Sequence, residues 1–348
     1  MKTVSSALTS LFAALLLASA TSMATAGDGV GTATLELENK ATGRKITTEL
    51  WFKAAGDAKI EWFSPRPPLR SIPIARNADP QPPLRKHPLI VISHGNWGTR
   101  FSQGWLALEL VKSGYVVLST SHPGTVGDDQ SVSGRYRLWD RSRDVSFALG
   151  EVLNDPKWAA LIDETRIGFV GHSFGGWTGV SLAGGRYDPG QQRTFCEKVL
   201  KKDFYCDGTL KDDIAGVSAK DAGESFRDAR IKAFYIMASG PGQGFVAESL
   251  KSISVPFMVD TAQFDEILEP LANSTTIARQ IPGAREVTRP VGHFAYVPEC
   301  RWLIGPVLTS LAGIPLCDDP QGVDRAQVHK QVAPDVVAFF NKNLAKAE

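Results

Sequence analysis

The stretch Gly171-His172-Ser173-Phe174-Gly175 decides the fold of this chain, because it fits the pattern Gly-x-Ser-x-Gly in a specific local context. Residues 166–170 (RIGFV) before it are typical of a strand, and residues 176–183 (GWTGVSLA) after it are typical of a helix rich in small residues. A strand, a sharp turn and a helix make the turn a nucleophile elbow, which holds the Ser173 hydroxyl above a sheet. The alternative is a glycine-rich turn with an ordinary serine, and the rest of the chain decides between the two.

Strands and helices alternate on both sides of the elbow. Apolar runs of the right length predict five core strands, at 89–92, 115–119, 167–170, 231–237 and 255–259. Amphipathic patterns predict three helices, at 105–112 (ended by Gly114), 140–153 and 334–344. This alternation predicts a mostly parallel central sheet flanked by helices.

Three other segments depart from the alternation. Residues 32–38 and 46–52 alternate between apolar and polar side chains, which predicts an antiparallel strand pair. Residues 64–88 are rich in proline and are predicted to form a surface loop. Residues 184–229 are polar and are predicted to be an insertion after the elbow helix, over the sheet edge or the active site.

The N-terminus has the pattern of a cleaved signal peptide, residues 1–26. Lys2 precedes a short apolar run at 11–20 (LFAALLLASA), and Ala24-Thr25-Ala26 is a small-x-small cleavage site. We therefore expect a periplasmic or secreted protein in which one globular domain covers 27–348. No later apolar run is long enough for a transmembrane anchor.

Charge and cysteine content limit the partners. Of 38 basic and 37 acidic side chains, residues 1–26 hold one lysine and no acid, so the mature chain is near neutral. A nucleic-acid partner would require a basic stripe, which the sequence lacks.

The four cysteines allow three disulfide pairings, of which Cys196–Cys206 with Cys300–Cys317 is the simplest. A metal site is the alternative, but no CxxC pair or Cys/His cluster is present.

A serine nucleophile needs a base, and the chain has six histidines. His172 adjoins Ser173, but neighbours at an elbow point away from the serine hydroxyl. His94 ends a strand and is interpreted as structural, while three others lie in turn contexts without a serine partner: His87, His122 and His329. His293 lies in a glycine-containing loop after the last core strand, which fits the order serine, acid, histidine.

The triad acid should follow the strand at 255–259, and both Asp260 and Asp265 qualify. We favour Asp265, because a carboxylate that reaches over the sheet edge needs a short loop to carry it. Asp260 is then a strand-end residue that satisfies backbone N–H groups. Glu266 and Glu269 are interpreted as solvated surface charges.

An oxyanion hole needs two backbone N–H groups where negative charge develops. The residue after the nucleophile, Phe174, is one predicted donor. The loop after an early strand, His94-Gly95-Asn96-Trp97-Gly98, provides the other through Asn96. Trp97 is predicted to contact the substrate by lining the acyl pocket.

Several motifs together resemble the bacterial predicted dienelactone hydrolases, which are related to the platelet-activating-factor acetylhydrolase-like lipases. The motifs are Ser93-His94-Gly95-Asn96-Trp97-Gly98, Gly114-Tyr115-Val116-Val117 with His122-Pro123-Gly124, Asp144-Val145-Ser146-Phe147, Gly171-His172-Ser173-Phe174-Gly175-Gly176, Gly242-Gln243-Gly244-Phe245 and Gly292-His293-Phe294. The resemblance covers nearly the whole mature chain and implies a serine hydrolase of the α/β-hydrolase fold with no cofactor. The elbow carries a serine where dienelactone hydrolase proper has a cysteine.

These observations predict an exported serine esterase that works through an acyl-enzyme on a small-molecule or lipid-like ester. One alternative is an amide or peptide hydrolase with the same triad. Another is a catalytically silent binding protein of the same fold. The sequence leaves the substrate and the oligomeric state open.

Overall fold

A mixed sheet of ten strands runs through the part of the chain that is described. The structure is a computed structural model that describes residues 29–66, 69–198, 203–206, 218–301, 307 and 315–345, without the side chains of 132 and 133. The predicted signal peptide, 1–26, lies outside these residues. No helix among them is long and apolar enough to span a membrane.

Five strands come first in the described part of the chain, and helices separate most of the later strands. The strands are β1 Val30–Asn39, β2 Arg44–Lys53, β3 Glu61–Phe63, β4 Ile72–Arg76, β5 His87–Ser93, β6 Val116–Thr120, β7 Thr125–Val126, β8 Asp129–Gln130, β9 Ile162–His172, β10 Ile231–Met237, β11 Phe257–Ala262 and β12 Arg285–Arg289. The helices are α1 Gly104–Lys112, α2 Val132–Tyr136, α3 Trp139–Asn154, α4 Pro156–Ala159, α5 Phe174–Ala183, α6 Pro189–Lys198, α7 Ala219–Ala222, α8 Ala247–Lys251, α9 Ser274–Gln280 and α10 Arg325–Asn343. Two 3₁₀ helices cover Phe204–Cys206 and His293–Tyr296.

The strand order is β12-β11-β10-β9-β5-β6-β2-β1-β4-β3. Neighbours from β12 to β6 are parallel, and β2 turns the sheet antiparallel by pairing with both β6 and β1. The predicted parallel sheet and the predicted antiparallel pair are both confirmed. β9 lies between β10 and β5, and its last six residues, which lead into the elbow, are all buried.

Helices cover both faces of the sheet. Along β5, Leu89 and Val91 belong to the core beneath α3, α5 and α9, while Ile90 and Ile92 belong to the core beneath α1 and α10. This period of two places successive apolar residues in opposite cores, so β5 reads as a continuous apolar run.

The prediction of a surface loop over 64–88 is wrong in its middle. β4 lies there, with Ile72 and Ile74 buried, and it pairs with β3 and β1. Pro73 lies opposite Trp62 of β3, close to the edge of the sheet, where a proline is tolerated.

The closing helix begins nine residues before its predicted start at 334. Asp324 caps α10 by accepting the Ala326 N–H at 2.9 Å, and Pro334 lies inside the helix. Burial of Val328, Val332 and Val336 on one face outweighs the hydrogen bond that the proline cannot donate.

Two disulfides close short loops, Cys196–Cys206 and Cys300–Cys317, with Cα–Cα distances of 4.9 and 5.8 Å. The first joins α6 to the 3₁₀ helix Phe204–Cys206, within the predicted insertion at 184–229. Residues 199–202 and 207–217 of that segment lie outside the described residues. The Phe204 N–H donates to the Ile267 carbonyl at 2.8 Å, so this part of the segment lies against the loop after β11.

Candidate active site

The elbow holds Ser173 in a strained backbone conformation between β9 and α5. Its φ of 56° and ψ of −119° lie in a region that L-residues rarely adopt. The Ser173 N–H donates to the Met237 carbonyl at 3.0 Å, which anchors the turn to β10. A Cβ atom at Gly175 would overlap the Ser93 carbonyl, and one at Gly171 would overlap the Gly175 carbonyl. The tight packing of the turn therefore requires both glycines.

A chain of hydrogen bonds joins three of the predicted site residues. His293 Nε2 lies 3.0 Å from Ser173 Oγ, and His293 Nδ1 lies 2.8 Å from Asp265 Oδ2. Since a carboxylate only accepts, Nδ1–H donates to Asp265 and the Nε2 lone pair faces the serine hydroxyl. The side chains of His293 and Asp265 are each 3 % exposed, so the contact is shielded from water.

The electrostatics of His293 suit a proton acceptor. Burial lowers its pKa, but the charge and hydrogen bond of Asp265 outweigh this, and the pKa of His293 lies above its ordinary value. A carboxylate in hydrogen-bond contact with an imidazole favours the protonated form of the ring. The Asp265 carboxylate is held in turn by the N–H groups of Ile267 and Leu268, at 2.9 and 2.7 Å.

Asp260, the other candidate acid, takes no part in the hydrogen bonds that join Ser173, His293 and Asp265. It is fully buried within β11 and accepts hydrogen bonds from Tyr296 at 2.7 Å, Tyr235 at 2.8 Å and Arg289 at 2.9 Å. The expectation that it satisfies backbone N–H groups is wrong, because side chains of β10, β12 and the 3₁₀ helix at His293 fill its acceptor sites. Asp260 therefore ties together the elements around the site.

Two side chains hold the backbone of His293 from opposite sides. Glu266 Oε2 accepts the His293 N–H at 3.0 Å, so its interpretation as a merely solvated charge is wrong. His172 Nε2–H donates to the His293 carbonyl at 3.0 Å. Burial lowers the pKa of His172 to about 3, so the ring is neutral. No sequence signal could reveal these roles, since both depend on contacts between distant segments.

The two predicted oxyanion donors lie beside the nucleophile. Phe174 is the first residue of α5, and a Cβ atom on Gly95, next to Asn96, would lie 3.0 Å from Ser173 Cβ. Neither the Phe174 N–H nor the Asn96 N–H donates to another described residue. Both N–H groups are therefore free to bind a ligand oxygen.

The loop that carries Asn96 is held by hydrogen bonds on both sides. His94 Nδ1–H donates to the Gly95 carbonyl at 2.6 Å, and the same ring accepts the His122 N–H at 3.2 Å on Nε2. Burial lowers the pKa of His94 well below its ordinary value, so the ring is neutral and structural. Trp97 has a φ of 62° and is 39 % exposed, which places its ring at the surface next to the predicted donors.

No group of three or more His, Cys, Asp and Glu side chains that could hold a metal ion occurs among the described residues. What the arrangement can do is transfer a proton from a serine to a histidine and bind a developing anion on two N–H groups.

The chain is similar in sequence to a known protein family and to a cutinase. A sequence model described as "Alpha/beta hydrolase family" matches residues 90–338. Cutinase 2 of Thermobifida cellulosilytica is 32% identical over 101 residues, 28% of this chain and 35% of the cutinase. The chain thus spans about a third of the length of that curated relative.

Solved structures are similar over most of the chain. A ferulic acid esterase from Streptomyces cinnamoneus aligns with a TM-score of 0.59 and 18% identity, covering 92% of this chain and 94% of the esterase. A dienelactone hydrolase from Anabaena variabilis ATCC 29413 aligns with a TM-score of 0.49 and 12% identity, covering 89% and 98%. At 18% identity the esterase shows a shared fold.

Proposed function

Since the chain belongs to the alpha/beta hydrolase family, we propose that it is an exported serine hydrolase that cleaves carboxylic esters. The observation that carries the proposal is the hydrogen-bonded series Ser173, His293 and Asp265 beside two unpaired N–H groups. The proposal assigns Ser173 as nucleophile, His293 as base and Asp265 as orienting acid, and it assigns the two N–H groups as the anion-binding pair.

Acylation begins when Ser173 Oγ attacks the ester carbonyl carbon. His293 Nε2 takes the hydroxyl proton as the new C–O bond forms, and Asp265 stabilises the resulting imidazolium. The carbonyl oxygen becomes an oxyanion that accepts hydrogen bonds from the Phe174 and Asn96 N–H groups. When the tetrahedral intermediate collapses, the imidazolium returns its proton to the departing alcohol.

Deacylation repeats these steps with water. His293 takes a proton from a water molecule that attacks the acyl-enzyme carbonyl. The second intermediate collapses, the carboxylic acid leaves, and the proton returns to Ser173. No cofactor is required, because each proton that His293 accepts is returned within the same half-reaction.

Similarity to known proteins favours an ester over an amide. The relative matched in sequence is named a cutinase, and the structure with the similar fold is named an esterase. An alcohol leaving group also demands less protonation than an amine. We propose a small-molecule or lipid-like ester as the substrate class, with Trp97 lining the acyl pocket.

Export is proposed from the signal-peptide pattern at 1–26, which lies outside the described residues. The two disulfides support it, because disulfides persist in oxidising compartments. In the same proposal, residues 27–348 are one hydrolase domain and 184–229 is an insertion.

The experiment is hydrolysis of a chain-length series of nitrophenyl esters, beside a phospholipid and a peptide amide. We expect ester turnover, and loss of several orders of magnitude in Ser173→Ala with an unchanged melting temperature. A fluorophosphonate probe should label the wild type and not the variant. Activity of Ser173→Ala near wild type would remove Ser173 as nucleophile, and an unlabelled wild type would identify a silent binding protein.

A further inference from the structure

We propose that the buried side chain of Arg141 is a positioning residue that holds the two oxyanion donors in place. The inference rests on the proposed ester hydrolysis and adds a residue that does not touch the substrate. Arg141 lies on α3, 1 % exposed, beneath the loop of Asn96 and the start of α5.

One guanidinium reaches both segments that provide a donor. Arg141 Nη2 donates to the carbonyl of His94, two residues before Asn96. Arg141 Nε donates to Thr178 Oγ1 at 3.2 Å, and the same hydroxyl donates to the Phe174 carbonyl at 2.9 Å. One donor residue lies in the loop after β5 and the other at the start of α5, and the Arg141 side chain links the two segments.

A third contact holds the far side of the loop. Arg141 Nη1 donates to Thr125 Oγ1 at 2.6 Å. The Thr125 carbonyl accepts the Trp97 N–H at 2.9 Å, immediately after Asn96. His94 and Trp97, which flank the Gly95-Asn96 dipeptide, are thus both held by Arg141. His94 is held directly, and Trp97 is held through Thr125.

A buried polar network fixes the guanidinium itself. Arg141 Nη2 donates to Ser93 Oγ at 3.3 Å, and that hydroxyl lies 2.9 Å from His122 Nε2. His122 Nδ1 lies 3.2 Å from Asp144 Oδ2, and Arg44 binds Asp144 through two contacts of 2.7 Å. The direction of donation runs from Arg141 through Ser93 and a neutral His122 to the carboxylate.

The charges of this network do not cancel. Arg44 neutralises Asp144, and burial lowers the pKa of His122 well below its ordinary value, so that ring is neutral. Arg141 has no carboxylate within ion-pair distance among the described residues. A buried cation without a counter-ion is costly, and an anion that forms on the nearby N–H groups during the reaction would stabilise it.

Lysine cannot replace this arginine. The planar fork gives separate N–H groups to His94, Thr125 and Thr178, whereas an ammonium is a single point on a flexible stem. Arg141→Lys keeps the charge and loses the geometry, so it separates positioning from simple charge.

The experiment compares Arg141→Lys and Thr178→Val with a control on the same helix, Arg143→Lys, whose side chain is 34 % exposed and paired with Asp140 and Glu224. We expect kcat on a nitrophenyl ester to fall about 30- to 100-fold in Arg141→Lys and about 3- to 10-fold in Thr178→Val, with KM within threefold. Phenylboronic acid binds as a tetrahedral anion when Ser173 Oγ adds to boron and its proton passes to His293. Its Ki should rise in proportion to the loss in kcat. The control should match the wild type.

Hydrogen exchange of the amides at 94–98 gives a measurement that does not depend on turnover. We expect exchange at least tenfold faster in Arg141→Lys than in the control. Wild-type kcat in both Arg141→Lys and Thr178→Val, a loss confined to KM, or unchanged exchange would overturn the proposal. If Arg141→Lys does not fold, Thr178→Val decides the outcome alone. Absence of ester turnover in the wild type would remove the proposed function, and the exchange result would still test the role of Arg141.

Discussion

Asparagine substitutions at Asp265 and Asp260 separate catalysis from stability. Asp265 Oδ2 lies 2.8 Å from His293 Nδ1, in a contact from which water is excluded. Opposite charges about 4 Å apart attract by about 4 kcal/mol at an effective dielectric constant of about 20. About 1.36 kcal/mol corresponds to a factor of ten in rate. Loss of the charge therefore costs about a thousandfold in kcat, and loss of the correct histidine tautomer brings the total to about 10⁴.

Asp260→Asn should behave in the opposite way. Asp260 is fully buried, and its partner Arg289 would be left without a buried counter-charge. Removing one partner of a buried pair costs about 3–5 kcal/mol, which for a domain of this size lowers the melting temperature by roughly 4–8 °C. We expect kcat within about tenfold of wild type below the melting transition.

The assays are ester turnover at neutral pH and thermal unfolding followed by circular dichroism. The pH dependence of kcat is a further test, because its direction follows from the pKa of His293. His293 must be neutral to accept a proton, and Asp265 raises its pKa, so wild-type kcat falls as the pH drops through that raised value. In Asp265→Asn the pKa of His293 falls, and the acid limb of the profile should move to lower pH. An inactive Asp260→Asn beside a normally active Asp265→Asn would refute the assignment of the acid.

Two further predictions concern the histidine loop and the disulfides. Glu266→Ala removes the acceptor of the His293 N–H, so kcat should fall about three- to tenfold. The control, Glu248→Ala on the exposed face of α8, should leave kcat unchanged. Equal kcat in the two variants would contradict the role of Glu266. The denatured mature protein should show no free thiol without reductant, and four titratable thiols would contradict both disulfides. Replacing Cys300 and Cys317 by serine should lower the free energy of unfolding by about 2–4 kcal/mol, as measured by denaturant titration.

Local sequence signals were sufficient for the elements that bear on the site. The glycines around Ser173 mark the elbow because no side chain fits there, and apolar runs with a period of two identify the strands. The order of Ser173, a carboxylate and His293 along the sequence follows from the order of the strands that precede them. The alpha/beta hydrolase family and its mostly parallel sheet, both predicted from the sequence, are confirmed.

Elements stabilised by distant partners were missed or displaced. β4 lies in a proline-rich segment whose local composition favours a loop, and its pairing with β1 and β3 outweighs that preference. α10 continues through Pro334 because its buried face packs under the sheet. Local propensity is a weak guide in both cases, since tertiary packing provides most of the stabilisation.

The sequence by itself determined the turn at Ser173 and predicted the kind of partners that a serine nucleophile requires, because the turn follows from the steric limits of a short segment. Only the tertiary structure distinguishes the surroundings of the two aspartates, since the parallel pairing of β11 with β12 buries Asp260 against Arg289 and leaves Asp265 in the loop that reaches His293. It also revealed the contacts of Glu266, His172 and Arg141. Each joins residues far apart in the chain, and the free energy of such a contact depends on a geometry that no local pattern encodes.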